Sequence, residues 1–138
     1  MNPIDVAKRI VAVGKALEQL DDLPPFDTAV IYPDGASLMP ISDYSDPWGE
    51  LRQVAAWAKR FDVELELSLS YGGRGRVHAI IRLPGVTGDV KVQGDINSAH
   101  AYELGRALQR PLSRDDSVIV SPEELLQVLD ELAPAASS

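Results

Sequence analysis

From Val63 to Tyr71 the chain reads VELELSLSY, apolar at every odd position and polar at every even one. A period of two places alternate side chains on opposite faces of a strand, and no helix reproduces it. The next run, Arg76 to Leu83, keeps the parity, with Val77, Ala79, Ile81 and Leu83 on one face and Arg76, His78, Ile80 and Arg82 on the other. Asp89 to Gln93 alternates once more after a turn at Pro84 to Gly88. Three consecutive strands of this kind predict an antiparallel meander, buried on one face and solvated on the other.

The link between the first two strands, SYGGRGR, carries Gly72, Gly73 and Gly75. Because core-facing residues must oppose core-facing residues, the numbers of paired residues must sum to an even value. A three-residue loop, Gly73-Arg74-Gly75, meets that condition and puts Gly75 at the left-handed position that glycine tolerates best. It pairs Tyr71 with Val77 and sets Glu66 opposite Arg82, a favourable cross-strand pair. Arg74 and Arg76 then project from the hairpin as candidate partner contacts.

The flanking segments read as helices and one further hairpin. Ile10, Val11, Val13, Ala16, Leu17 and Leu20 recur at three-and-four spacing, which predicts a helix from Pro3 to Leu20 with these residues inward. Pro24-Pro25 cannot extend it. Thr28 to Tyr32 and Ser37 to Ile41 flank the turn signal Pro33-Asp34-Gly35, and Pro40 assigns the second strand to a sheet edge. Ser42 to Asp46 reads as a polar loop. Asp46-Pro47 predicts a helix start with Leu51, Val54, Ala55, Ala58 and Phe61 inward, and Trp48 and Trp57 as core. Asn97 or Ser98 caps a third helix with Ala101, Leu104 and Leu108 inward, ended by Pro111. Ser121-Pro122-Glu123-Glu124 supplies an N-cap, a proline at N1 and a glutamate at N3, with Val120 and Leu125 placed for a hydrophobic staple.

The expected architecture is therefore α+β, in the order α-β-β-α-β-β-β-α-α. An antiparallel sheet of about five strands carries its helices on one face. A chain of 138 residues suits one domain, over residues 1–134, with fraying from Ala133 and a tail at 135–138. There is no cysteine, which excludes disulfides, thiolate metal sites and cysteine nucleophiles. No apolar run approaches the ~20 residues of a membrane span, and no export signal is recognisable, so a cytoplasmic protein is expected. Arginine outnumbers lysine nine to four, a bias that suits a high-GC bacterium or its phage.

The net charge of −8 is unevenly spread. Between Lys15 and Arg52 lie eight acids and no base, including Asp21, Asp22, Asp27 and Asp34, which are candidate partner contacts. Such a stretch is either solvated loop or a docking surface for a basic partner. Arg74 to Arg114 instead holds seven bases against three acids. Arg82, Lys91, Arg106, Arg110 and Arg114 there form a candidate basic patch if the fold gathers them.

Complete catalytic motifs are missing. Gly73-Arg74-Gly75-Arg76-Val77-His78 lacks the last glycine of a dinucleotide fingerprint and leads into a strand rather than a helix. Gly88-Asp89, Gly94-Asp95, Asn97 and His100 are similar in outline to metallophosphoesterase elements. No histidine follows either aspartate by two positions, however, and turn and cap chemistry accounts for them. His78 and His100 are the only histidines, and no G-x-S-x-G elbow accompanies them. No cofactor, metal or catalytic set is assigned. The leading expectation is an acidic, non-enzymatic protein-interaction module of a bacterium or phage. A nucleic-acid-associated protein using the arginines is the alternative, and a small enzyme using His78 or His100 the third reading. Self-association through a Ser37–Ile41 edge or the Trp48 region is a further expectation.

Overall fold

The computed structural model describes residues 3–41, 46–69, 74–110 and 117–132. Four helices pack with a single sheet of six strands, one more than expected, in an α+β arrangement. Helix α1 spans Pro3–Glu18, and strands β1 (Phe26–Tyr32) and β2 (Gly35–Pro40) form a hairpin. Helix α2 (Gly49–Arg60) leads to β3 (Leu65–Leu69), β4 (Gly75–Ile81) and β5 (Asp89–Ile96). Helix α3 (Ser98–Ala107), strand β6 (Ser117–Val120) and helix α4 (Pro122–Leu132) complete the chain. The strand order is β1-β2-β5-β4-β3-β6.

The meander forms as the alternation demands: β3 pairs with β4 and β4 with β5, all antiparallel. Leu65, Leu67, Leu69, Val77, Ala79, Ile81, Val90 and Val92 are buried beneath the helices. Leu51, Val54, Ala55, Trp57 and Ala58 of α2 fill the space above them. Both tryptophans are core residues, each 3% exposed. The Trp57 indole donates to the Pro24 carbonyl at 3.0 Å and packs on Phe26 at 4.5 Å between ring centroids, fixing the α1–β1 connector against α2.

Four expectations are corrected. First, β2 is not an edge. It lies between β1 and β5, and it pairs with β5 in parallel. Pro40 is tolerated because the β2–β5 register ends at Leu38–Val92, before the missing N–H would be needed. The Ser37–Ile41 strand is therefore not an open sheet edge, and Trp48 is buried rather than part of an exposed apolar patch. Second, the β3–β4 register is Leu69–Gly75 and Glu66–His78. Gly75 is therefore a strand residue, and Arg82 pairs with Asp89 at 3.0 Å rather than with Glu66. The loop tip with Tyr71, Gly72 and Gly73 lies outside the described residues, as do Ser42–Ser45, Pro111, Arg114 and the tail from Ala133.

Third, β6 is an additional strand. Its four residues pair antiparallel with β3, and Val120 faces Leu65. Fourth, α1 ends at Glu18 rather than Leu20; it buries Val13 and Ala16, with Leu20 buried in the turn that follows, but leaves Ile10 and Val11 in solvent. The capping expectations fare better. Asn97 Oδ1 accepts the His100 amide at 2.9 Å, and Ser121 Oγ accepts the Glu124 amide at 3.1 Å. At α2 the cap position falls on Trp48, whose own amide is taken by Asp46 Oδ1 at 3.1 Å.

Candidate functional site

The parallel pairing of β2 with β5 brings their carboxyl ends to one end of the sheet. A cleft of about 450 Å³ opens there. Met39 and Pro40 come from β2, Gln93, Asp95 and Ile96 from β5, and Asp27 and Thr28 from the start of β1. Asp46, Pro47 and Glu50 enter from the beginning of α2, Asn97 and His100 from the beginning of α3, and Arg74 from just before β4. Open α/β sheets bind ligands beyond the carboxyl ends of parallel strands for the same geometric reason: successive chain reversals leave a crevice there.

Two glycines within strands set the helices around this cleft. Gly94 faces α2, and a Cβ on it would lie 3.0 Å from Glu50 Cβ and 3.3 Å from Val54 Cγ2. Gly75 faces α3, where a Cβ would lie 2.7 Å from Ala101 Cβ and 2.8 Å from Ile96 Cγ1. Lacking those atoms, the sheet lets the first turns of both helices approach closely, as isolated strand glycines often do. The approach of α2 has a polar consequence. Beyond the last β2–β5 pair, the Asp95 amide donates to Glu50 Oε1 at 3.2 Å.

The cleft is polar and carries an excess of negative charge. Among the described residues, Asp27, Asp46, Glu50 and Asp95 line it against a single guanidinium, that of Arg74. Asp95 is shared with the outer sheet face, where its Oδ1 accepts from Arg76 Nε at 3.2 Å. The His100 ring meets Trp48 edge-on, with centroids 5.0 Å apart, so a buried indole fixes one side of the imidazole. Among the described residues, no group of three His, Asp or Glu side chains is placed to hold a metal ion.

The other candidate residues are dispersed. Asp27 lines the cleft, whereas Asp34 lies in the turn past the far end of β1, about 20 Å along the strand. Asp22 pairs with Arg60 at 3.7 Å, and Asp21 lies beside the α1–β1 connector. Among the described residues, the basic candidates fall on separate elements, and Arg114 lies outside them. Arg76, Arg82 and Lys91 share the outer sheet face, but carboxylates hold both arginines there. Arg110 donates to the Ile119 carbonyl at 2.8 Å and to Glu124 at 3.1 Å, and Arg106 lies on α3. His78 lies on the outer face of β4, paired across the sheet with Gln93 of the cleft lining, and its Nε2 is 3.4 Å from Glu66 Oε2.

Asp46, Glu50 and Gln93 are cleft residues that sequence reasoning did not single out. The available signal was the pair of isolated glycines, Gly75 and Gly94, inside alternating runs. No family model, curated protein or solved structure matches this chain.

Proposed function

We propose that this protein is a non-enzymatic interaction module whose cleft receives a positively charged group of a protein partner, such as a lysine or arginine side chain. One observation carries the reading. Of the eight acids between Lys15 and Arg52, Asp27, Asp46 and Glu50 converge on a single concavity and are joined there by Asp95. Clustered carboxylates steer a cationic partner over long distances, and a concave wall restricts which group enters. Among the described residues no helix is long and apolar enough to cross a membrane. The lack of cysteine suits a reducing compartment, and the proposal places the module in the cytoplasm of a bacterium or of a phage-infected cell.

Fluorescence anisotropy with a labelled oligo-arginine peptide tests the reading. Binding should weaken steeply as salt rises, and the double variant Asp27→Asn with Asp95→Asn should abolish it. Asp34→Asn with Glu131→Gln removes the same charge outside the cleft lining and should leave most of the affinity. Equal losses in the two double variants, or binding indifferent to salt, would reject the cleft as the site.

A second reading also has one observation behind it. His100 shares the cleft with Asp46, Glu50 and Asp95, so an imidazole and carboxylates reach one volume, the minimum for acid–base work. Turnover of a hydrolase or isomerase substrate that vanishes in His100→Gln would favour it. Turnover unchanged in that variant removes it.

A further inference from the structure

Helix α1 is apolar on both sides, and among the described residues only one of them is covered. Val13, Ala16 and Leu20 are buried against the body of the protein. On the opposite side Ile4 and Val11 are 65% and 55% exposed, with Ala7 and Gly14 also exposed. Positions 4, 7, 11 and 14 follow the three-and-four spacing of a helix–helix seam, and Ile10, 52% exposed, borders it. Among the described residues, none covers this stripe. Gly14 adds to the anomaly: a glycine weakens a helix interior, and a Cβ built there meets no atom within 4 Å. Among the described residues, no packing contact requires its smallness.

We propose that α1 is the contact surface of a weak homodimer, in which two copies pair antiparallel through this stripe. The sizes along the seam are self-complementary under a two-fold axis, as an isologous contact requires. With the axis at the level of residue 9, Ile4 lies over Gly14 of the second copy and Val11 over Ala7, and each contact occurs twice. A large residue meets a small one at every layer. The bordering charges work against the contact, which keeps it weak. In an antiparallel pair the margin carrying Lys8 and Lys15 faces its own copy, whereas Asp5 is turned towards Gly85, Val86 and Thr87 of its own chain. The two Lys8 side chains meet near the axis, a screened repulsion at the surface.

The contact area limits the strength. Three exposed apolar side chains and two small ones fall short of the ~800 Å² per partner of a stable complex, so dissociation is expected at roughly hundreds of micromolar. Each copy carries a net charge of −8, so added salt should strengthen the dimer rather than weaken it.

Sedimentation equilibrium over about 10 µM to 1 mM tests the proposal. The weight-average mass should rise from 15.0 kDa towards twice that value with concentration. Val11→Asp, an exposed site, should hold it at 15.0 kDa while far-UV circular dichroism stays unchanged. The absence of cysteine allows a test of register. A mixture of the Ala7→Cys and Val11→Cys variants should form a mixed disulfide faster than either forms its own. A mass of 15.0 kDa throughout, or a dimer that survives Val11→Asp, overturns the proposal. Preferential Val11→Cys self-linkage overturns the antiparallel register.

Discussion

The outer side of α1 and the cleft between α2 and α3 are both left open by the described residues, but they differ in how firmly the sequence builds them. The cleft walls rest on close backbone approaches at Gly75 and Gly94, with Glu50 tied to the Asp95 amide. Helix α1 is held more lightly. Val13 and Ala16, with Leu20 just beyond its end, supply its buried contact, and Arg9 ties it to the sheet by donating to the Gly35 and Thr87 carbonyls. The cleft is rigidly placed and charged, whereas the α1 stripe is apolar and borne on a less anchored element. The two regions should therefore answer oppositely to salt and independently to mutation.

The largest effect that separates them is expected at Gly75. Replacing it with valine forces atoms into Ala101 and Ile96, and overpacking of this kind costs about 3 kcal/mol at the upper end of its usual range. Urea denaturation measures that loss. Because the displaced element is α3, peptide binding in the cleft should fall with stability, while self-association through α1 persists under conditions where the variant stays folded. A Gly75→Val protein with wild-type stability would show that α3 does not seat where the glycine allows.

A smaller loss is expected at Arg9. Its side chain bonds two carbonyls, at the start of β2 and in the turn before β5, and its removal in Arg9→Ala should cost about 1 kcal/mol. Amide exchange should accelerate along α1 and stay unchanged in α2 and β5. Uniform acceleration across all helices would contradict the view that α1 is separately and lightly anchored.

Salt supplies the next contrast. Raising it should weaken oligo-arginine binding to the cleft and tighten α1 self-association, because the first joins opposite charges and the second joins two chains of −8. The same sign in both measurements would dissolve the distinction between a charged and an apolar surface.

Much of the fold could be read from local patterns, and the rest failed for identifiable reasons. The parity of Val63 to Tyr71 and Arg76 to Leu83 predicts which face of β3 and β4 is buried, and Ser121 and Asn97 mark helix starts. Parity leaves the register open, however. A slip of four residues moves Glu66 from Arg82 to His78 without exposing a single core residue. The parallel contact of β2 with β5 has no local signature at all, because it joins segments separated by α2, β3 and β4. That contact creates the cleft, so the site could not be assembled from spacing even though Asp95, Asn97 and His100 were noticed. Ile10 and Val11 misled for another reason. Helical periodicity identifies apolar stripes but does not say that a helix with two of them buries both.

The smallest effect concerns His78, which lines neither region, although its cross-strand neighbour Gln93 lines the cleft. It faces Glu66 on β3 and Gln93 on β5, with Arg76 on its own strand and Lys91 nearby on β5. Burial lowers its pKa from the usual 6.5, and although the Glu66 carboxylate pulls it upward, Lys91 and Arg76 add to the lowering. At pH 7 the imidazole is accordingly neutral, and its 3.4 Å approach to Glu66 is a polar contact rather than an ion pair. The unfolded chain takes up the proton more readily than the folded one. The His78 contribution to stability is then full above about pH 6.5 and declines as the pH falls through 6.5 towards the folded pKa. Wild-type protein should lose stability between about pH 7 and 5.5 relative to His78→Gln, and Glu66→Gln should steepen the loss. Cleft binding and dimerisation should differ little between wild type and His78→Gln across that range. A wild type that instead gained stability on acidification, measured against His78→Gln, would mean that Glu66 outweighs burial on the outer face of the sheet.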